Sequence, residues 1–141
     1  MGPDLIRALG GGLVGTAVMT VMMYVVSPMM GLEMDIAAML GSLVGGSWMA
    51  GMFLHFVNGT VVFPVIYAKV LYGVLPDGPV GKGLAWGVVL WLVAQLVVMP
   101  MMGGGLFSSA MGGLMAAGGS LMGHLVYGSL LGAIAGPSRH P

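Results

Sequence analysis

The sequence predicts an all-α polytopic membrane protein, with four transmembrane helices built as two duplicated helical hairpins related by a parallel pseudo-twofold axis. Three observations predict it. Of 141 residues, 58% are hydrophobic and 6% are charged, and the mean hydropathy is +1.05. Four apolar stretches are each long enough to cross ~30 Å of hydrocarbon, which takes about 20 helical residues. Landmarks of the first two stretches recur in the last two. A soluble domain carries about 25% charged residues, and a disordered chain is polar and charged, so both classes are excluded. The formal net charge is zero, which leaves no basic field to hold nucleic acid. Cysteine is absent, which excludes disulfide scaffolds, thiolate metal sites and Cys nucleophiles.

The predicted spans are Ala8–Met30, Met49–Tyr72, Gly83–Met102 and Met115–Ala135. The first is read as a membrane helix and not as a cleaved signal, because no small-residue cleavage pattern follows it and three more spans do. Ile36–Ser47 and Gly104–Gly113 are too short to cross, and are expected to rest at the interface or fold back as loops. No linker divides the chain, so residues 1–141 read as one domain.

Charge orients the bundle. Arg7, Lys69, Lys82 and Arg139 fall on the side shared by the N-terminus, the loop between spans 2 and 3, and the C-terminus. The opposite side has Glu33 and Asp35, read as a solvated loop pair, and no Lys or Arg. The positive-inside rule then places both termini in the cytoplasm and the chain in the inner membrane. Trp86, Tyr67 and Tyr72 suit the inner aromatic belt and Trp48 the outer one.

The repeat is read from ordered landmarks. Pro28-Met29-Met30-Gly31 recurs as Pro100-Met101-Met102-Gly103, and the same offset carries Gly11 onto Gly83 and Gly15 onto Gly87. His55-Phe56-Val57-Asn58-Gly59-Thr60 matches His124-Leu125-Val126-Tyr127-Gly128-Ser129. Each unit has an even number of spans, so the pseudo-twofold axis runs along the membrane normal. His55 and His124 become symmetry mates, roughly 10 Å below the outer interface at 1.5 Å per helical residue. Gly11-xxx-Gly15, Gly83-xxx-Gly87, Gly119-xxx-Gly123 and Gly128-xxx-Gly132-xxx-Gly136 form small-residue seams that let helices approach closely. Pro64 should kink span 2 at Thr60, and its counterpart in the second half is Ala133, so the halves differ there.

His55, Asn58, Gln95 and His124 are the intramembrane polar groups that call for a role. A neutral imidazole can act simply as interhelical glue. Two at matched positions can instead share a ligand, either a metal ion or the iron of a haem b held from both faces. Asn58 and Tyr127 lie three residues beyond the imidazoles and are candidates to orient the rings. Methionine favours a soft metal. Of 16 methionines, Met29, Met30, Met34, Met39, Met49, Met52, Met99, Met101, Met102, Met111, Met115 and Met122 lie in the outer part or the outer loops. Thioether with imidazole suits Cu(I), so His55, His124 and Met52 are the candidate metal ligands. For haem, the outer side offers no Lys or Arg to meet the propionates. No serine has a readable base, and neither glycine cluster, Gly10-Gly11-Gly12 or Gly103-Gly104-Gly105, carries the Lys-Ser/Thr ending of a phosphate loop. An enzyme is not expected.

With His55-Phe56-x-x-Gly59, the Trp86-Gly87 to Trp91 stretch, Pro100 and His124-x-x-Tyr127-Gly128, the chain resembles small uncharacterised four-span bacterial membrane proteins with paired His-x-x-x-Gly helices. That resemblance implies the four-span architecture and adds no activity. Three roles stay open: an accessory subunit of a larger membrane assembly, such as a redox complex; a cofactor protein using the histidines; and an oligomeric channel or carrier for a small solute or ion. The first two are compatible. The expected partners are the lipid bilayer with other membrane subunits or further copies of the chain.

Overall fold

A computed structural model describes residues 2–76 and 78–138. Arg139, one of the four predicted cytoplasmic cations, lies outside the described residues. Four helices are long and apolar enough to cross a membrane: α1 (Leu5–Met29), α3 (Trp48–Leu71), α4 (Pro79–Met101) and α5 (Gly113–Ala135). Between α1 and α3 lies a short helix, α2 (Ile36–Ser42), and between α4 and α5 a single 3-10 turn, Leu106–Ser108. The fold is all-α, with no strand among the described residues. The observed spans begin one to four residues before the predicted ones, because Asp4, Ser47 and the Gly78-Pro79 pair start helices ahead of the apolar runs.

Proline shapes three of the four spans in the same way. Each of Pro28, Pro64 and Pro100 follows a π-helical turn, at Met22–Val26, Asn58–Val62 and Ala94–Val98. A proline has no N–H and its ring crowds the carbonyl four residues back. The preceding residue therefore reaches one residue further: Ser27, Phe63 and Met99 donate to the carbonyls of Met22, Asn58 and Ala94. The turns in α1 and α4 fall at the matched positions of the two Pro-Met-Met-Gly elements. Helix α5 has no such turn, since Ala133 stands where α3 has Pro64.

Glycine sets the packing. A Cβ on Gly83 would lie 2.0 Å from the Gly128 carbonyl oxygen, and one on Gly132 would lie 2.2 Å from that of Pro79, so α4 and α5 meet backbone to backbone. On the other side of α5, Gly11 and Gly15 of α1 abut Leu131 and Tyr127. Gly12, not Gly11, is the residue that admits α3, at the Gly59 carbonyl. Packing thus runs α3–α1–α5–α4, with only sparse packing between α3 and α4. Those two join at the basic half, through the edge-to-face pair Phe63–Trp86 and through Lys82, which donates to the Tyr72 and Leu75 carbonyls. Arg7 does the same work for α5, donating to the Ile134 carbonyl at 2.9 Å. Both cations cap helix C-termini, where the macrodipole favours them. The core of this half is Ala8, Tyr67, Tyr72, Trp86, Tyr127 and Leu131, all buried.

The opposite half is splayed, and α2 folds back over it against the first turn of α3. Gly51 and Gly41 allow the approach, since a Cβ on Gly51 would collide with the Ala37 carbonyl. Asp35 ties α2 down. It caps α2 by accepting from the Ala38 N–H at 3.0 Å, and it also accepts from the Tyr24 hydroxyl at 2.5 Å and the Trp48 indole at 3.0 Å. The expected solvated pair is therefore divided: Glu33 is exposed, and Asp35 joins α1, α2 and α3. Burial pushes the Asp35 carboxyl up, but the hydrogen bonds from Tyr24, Ala38 and Trp48 outweigh it and hold the group below the ordinary carboxylate value of 3.8. A depressed value means that this stabilisation is complete above the unfolded-state pKa and disappears as pH falls through the folded one. Asp35→Ala should cost about 2 kcal/mol at neutral pH, from a lost cap and charged hydrogen bonds. The difference from the unsubstituted protein should shrink in denaturation measured at a pH below the Asp35 value, where the charge-dependent part of these bonds is lost.

Candidate functional site

The splayed half holds a partly open cavity of about 580 Å³ with walls from all four spans and Ile36, Met39 and Leu40 of α2 along one side. His55 and His124 both line it, as do Asn58, Gln95, Ser120 and Tyr127. So do ten methionines: Met19, Met22, Met23, Met30, Met34, Met39, Met99, Met102, Met115 and Met122. The π-turns of α1, α3 and α4 all contribute to the wall, consistent with the use of such turns at functional sites. The cavity ends at Thr16, Phe63, Leu90 and Tyr127, where the aromatic core of the basic half begins.

Each imidazole is oriented by a hydrogen bond that determines which nitrogen stays free. His124 Nδ1 donates to the Ser120 carbonyl one turn back, at 2.7 Å. Its Nε2 is left as an unprotonated lone pair. His55 Nε2 lies 2.9 Å from Thr20 Oγ1, whose single proton goes to the Thr16 carbonyl at 2.6 Å. His55 Nε2 therefore donates, and its Nδ1 carries the lone pair. Thr16 in turn donates to the Gly12 carbonyl, so a ladder of two threonines braces the His55 ring from α1. Metal-binding imidazoles almost always donate their second nitrogen to a carbonyl or similar partner in this manner.

The residues expected to orient the rings have other roles. Tyr127 donates its hydroxyl to the Gly59 carbonyl at 2.5 Å, a group that Pro64 cannot pair because it has no N–H. Asn58 lines the cavity, and its amide has no side-chain hydrogen bond among the described residues. Met52, one turn before His55, is not among the lining residues; Met19, Met22 and Met23 are, though they lie deeper in α1. Thr20 and Ser120 are the orienting residues that sequence reasoning missed. Ser120 was detectable as the residue one helical turn before His124, and Thr20 as one of two threonines spaced by four in an apolar span.

Gln95, which also lines the cavity, has its amide oxygen engaged from the loop after α4. It accepts from Ser108 Oγ at 2.7 Å, and both are fully enclosed. The loop between α4 and α5, expected to rest at the interface or fold back, turns through left-handed Phe107 and Ser108 and buries Ser108 against Gln95. Trp91 ties α4 to α5 by donating its indole N–H to the Ala117 carbonyl at 2.9 Å.

The donor set limits what the cavity can hold. Among the described residues, no group of three His, Cys, Asp or Glu side chains is placed to hold a metal ion. A metal here would need thioether ligands beside imidazole, the combination that suits Cu(I). Against known proteins, residues 3–140 match the family of unknown function DUF6789. The chain belongs to that family. This DUF6789 member matches no curated protein and no solved structure. It is a helical membrane protein in contact with lipid, and large apolar side chains such as Ile6, Met29, Phe53, Val70 and Leu114 are exposed around the bundle.

Proposed function

We propose that this DUF6789 protein is a non-enzymatic inner-membrane protein that binds a soft monovalent metal ion, Cu(I), and serves a larger membrane assembly as an accessory subunit. One observation carries the reading: two imidazoles, each oriented by a second hydrogen bond, open on a single cavity with ten methionines. His124 Nε2, His55 Nδ1 and one or two thioethers from the methionines that line this cavity alone, such as Met19, Met22 and Met122, would ligate the ion, with Ser120 and Thr20 orienting the rings.

Cu(I) is favoured over haem b by the free nitrogens. The Nδ1 of His55 adjoins the ring carbon that bears Cβ, so a porphyrin bound there would run into the residue's own backbone. A two- or three-coordinate ion has no such clash. Neither Lys nor Arg lines the cavity to meet propionates. A channel through one chain is disfavoured because the aromatic core of the basic half closes the cavity at its floor. The subunit role is supported by how little of the chain lies outside its helices. For orientation, Arg7, Lys69 and Lys82 at one end favour cytoplasmic termini and put the cavity in the outer leaflet.

Equilibrium titration with Ag(I), a redox-stable stand-in for Cu(I), tests the reading. Purified chain in detergent should saturate at one ion per chain. Titration without a saturable site would overturn it.

A further inference from the structure

We propose that the cation reaches the imidazoles through a second cavity beside α2, handed across by Met23, Met34, Met39 and Met99. This rests on the soft-metal reading above. The second cavity measures about 490 Å³ and lies among α1, α2 and the loop after α4. Those four methionines line both, so the second, an open groove, adjoins the first across a shared thioether wall. A soft ion exchanges one thioether for the next without taking up water, and a wall common to both spaces provides that succession of donors.

Charge and packing give the route its direction. Glu33 lines the second cavity, is exposed, and has no hydrogen bond or ion pair among the described residues. Asp35 also lines it, but its oxygens are occupied by Tyr24, Ala38 and Trp48. Glu33 therefore provides the free carboxylate that draws a cation to this mouth. The other end of the bundle presents Arg7 and Lys82 and is filled by the core around Tyr67, Trp86 and Leu131. Like charge and close packing both oppose passage from that side.

Rates separate the passage from the destination. In stopped-flow uptake of Ag(I) by the full-length chain, Met34→Leu with Met39→Leu should slow loading about tenfold, the change that about 1.4 kcal/mol in a transfer barrier produces. Saturation at equilibrium should stay at one ion per chain, since Met→Leu keeps volume and apolarity and costs little stability. Glu33→Gln should slow uptake at low ionic strength, with the difference disappearing as salt screens the carboxylate. Unchanged rates in the double variant would overturn the passage while leaving the binding site intact. A parent chain without saturable Ag(I) binding would overturn the passage together with the reading beneath it.

Discussion

Replacing both imidazoles, as His55→Ala with His124→Ala, should lower Ag(I) affinity by about 100-fold or more, since losing even a residue that orients a ligand costs 10–100-fold. Each single variant should give a smaller loss, because the thioethers and the other ring remain. The measurement is the same equilibrium titration, accompanied by thermal unfolding in detergent to show that the variants stay folded. Folding is expected to survive, because the His55 ring has one side-chain partner, Thr20, and the His124 ring bonds within its own helix. If the histidines were only interhelical glue, stability would fall and any Ag(I) binding would persist.

Stability, by contrast, should collapse at the α4–α5 seam. Gly83→Ala brings a Cβ to 2.0 Å from the Gly128 carbonyl oxygen and 2.9 Å from Gly132 Cα. Both obstacles are backbone, so no side chain can rotate away, and the helices must separate. The expected cost is about 3 kcal/mol, the upper part of the range for overpacking. Gly118→Ala makes the contrast within the same helix pair, since nothing lies within 4 Å of the added atom. It should be neutral or slightly stabilising, because alanine is the better helix former by about 1 kcal/mol. Unfolding of the two variants side by side in detergent measures the difference. Equal stability would mean that α4 and α5 do not meet at Gly83.

The architecture was legible because membrane helices are written in long, coarse signals. Four apolar runs, the Gly11, Gly83 and Gly128 spacings and the two Pro-Met-Met-Gly elements are each local, and each led to the right helix, whereas Gly119 and Gly123 meet only the Leu32 and Met19 side chains and form no seam. The difference between Pro64 and Ala133 was also enough to expect a distorted α3, and the π-turn at Asn58–Val62 lies there. Other features depend on contacts across the fold. Nothing near Asp35 in sequence indicates that Tyr24 and Trp48 converge on it, so it read as solvated. Ser108 reaches Gln95 only because two consecutive residues take left-handed backbone, which no residue type there signals.

The candidate site was legible in part for the same reason. Matched positions in the repeat pointed to His55 and His124 together, and both line one cavity. The orienting residues could not be chosen by repeat logic, because the repeat is broken where they act. His124 is braced from within α5 by the Ser120 carbonyl, and His55 from across the bundle by Thr20 of α1. The two rings consequently offer different nitrogens. Helical spacing brought Met52 forward as a ligand, yet the cavity faces are set by how the helices pack, which brings in Met19 and Met22 of α1 instead.

X-ray absorption at the copper edge, on the full-length chain loaded with Cu(I) and freed of excess metal, tests the central claim most directly. The account predicts one copper per chain with imidazole nitrogen and thioether sulfur together in its first shell. Copper bound by nitrogen and oxygen alone, or none retained after the excess is removed, would contradict it.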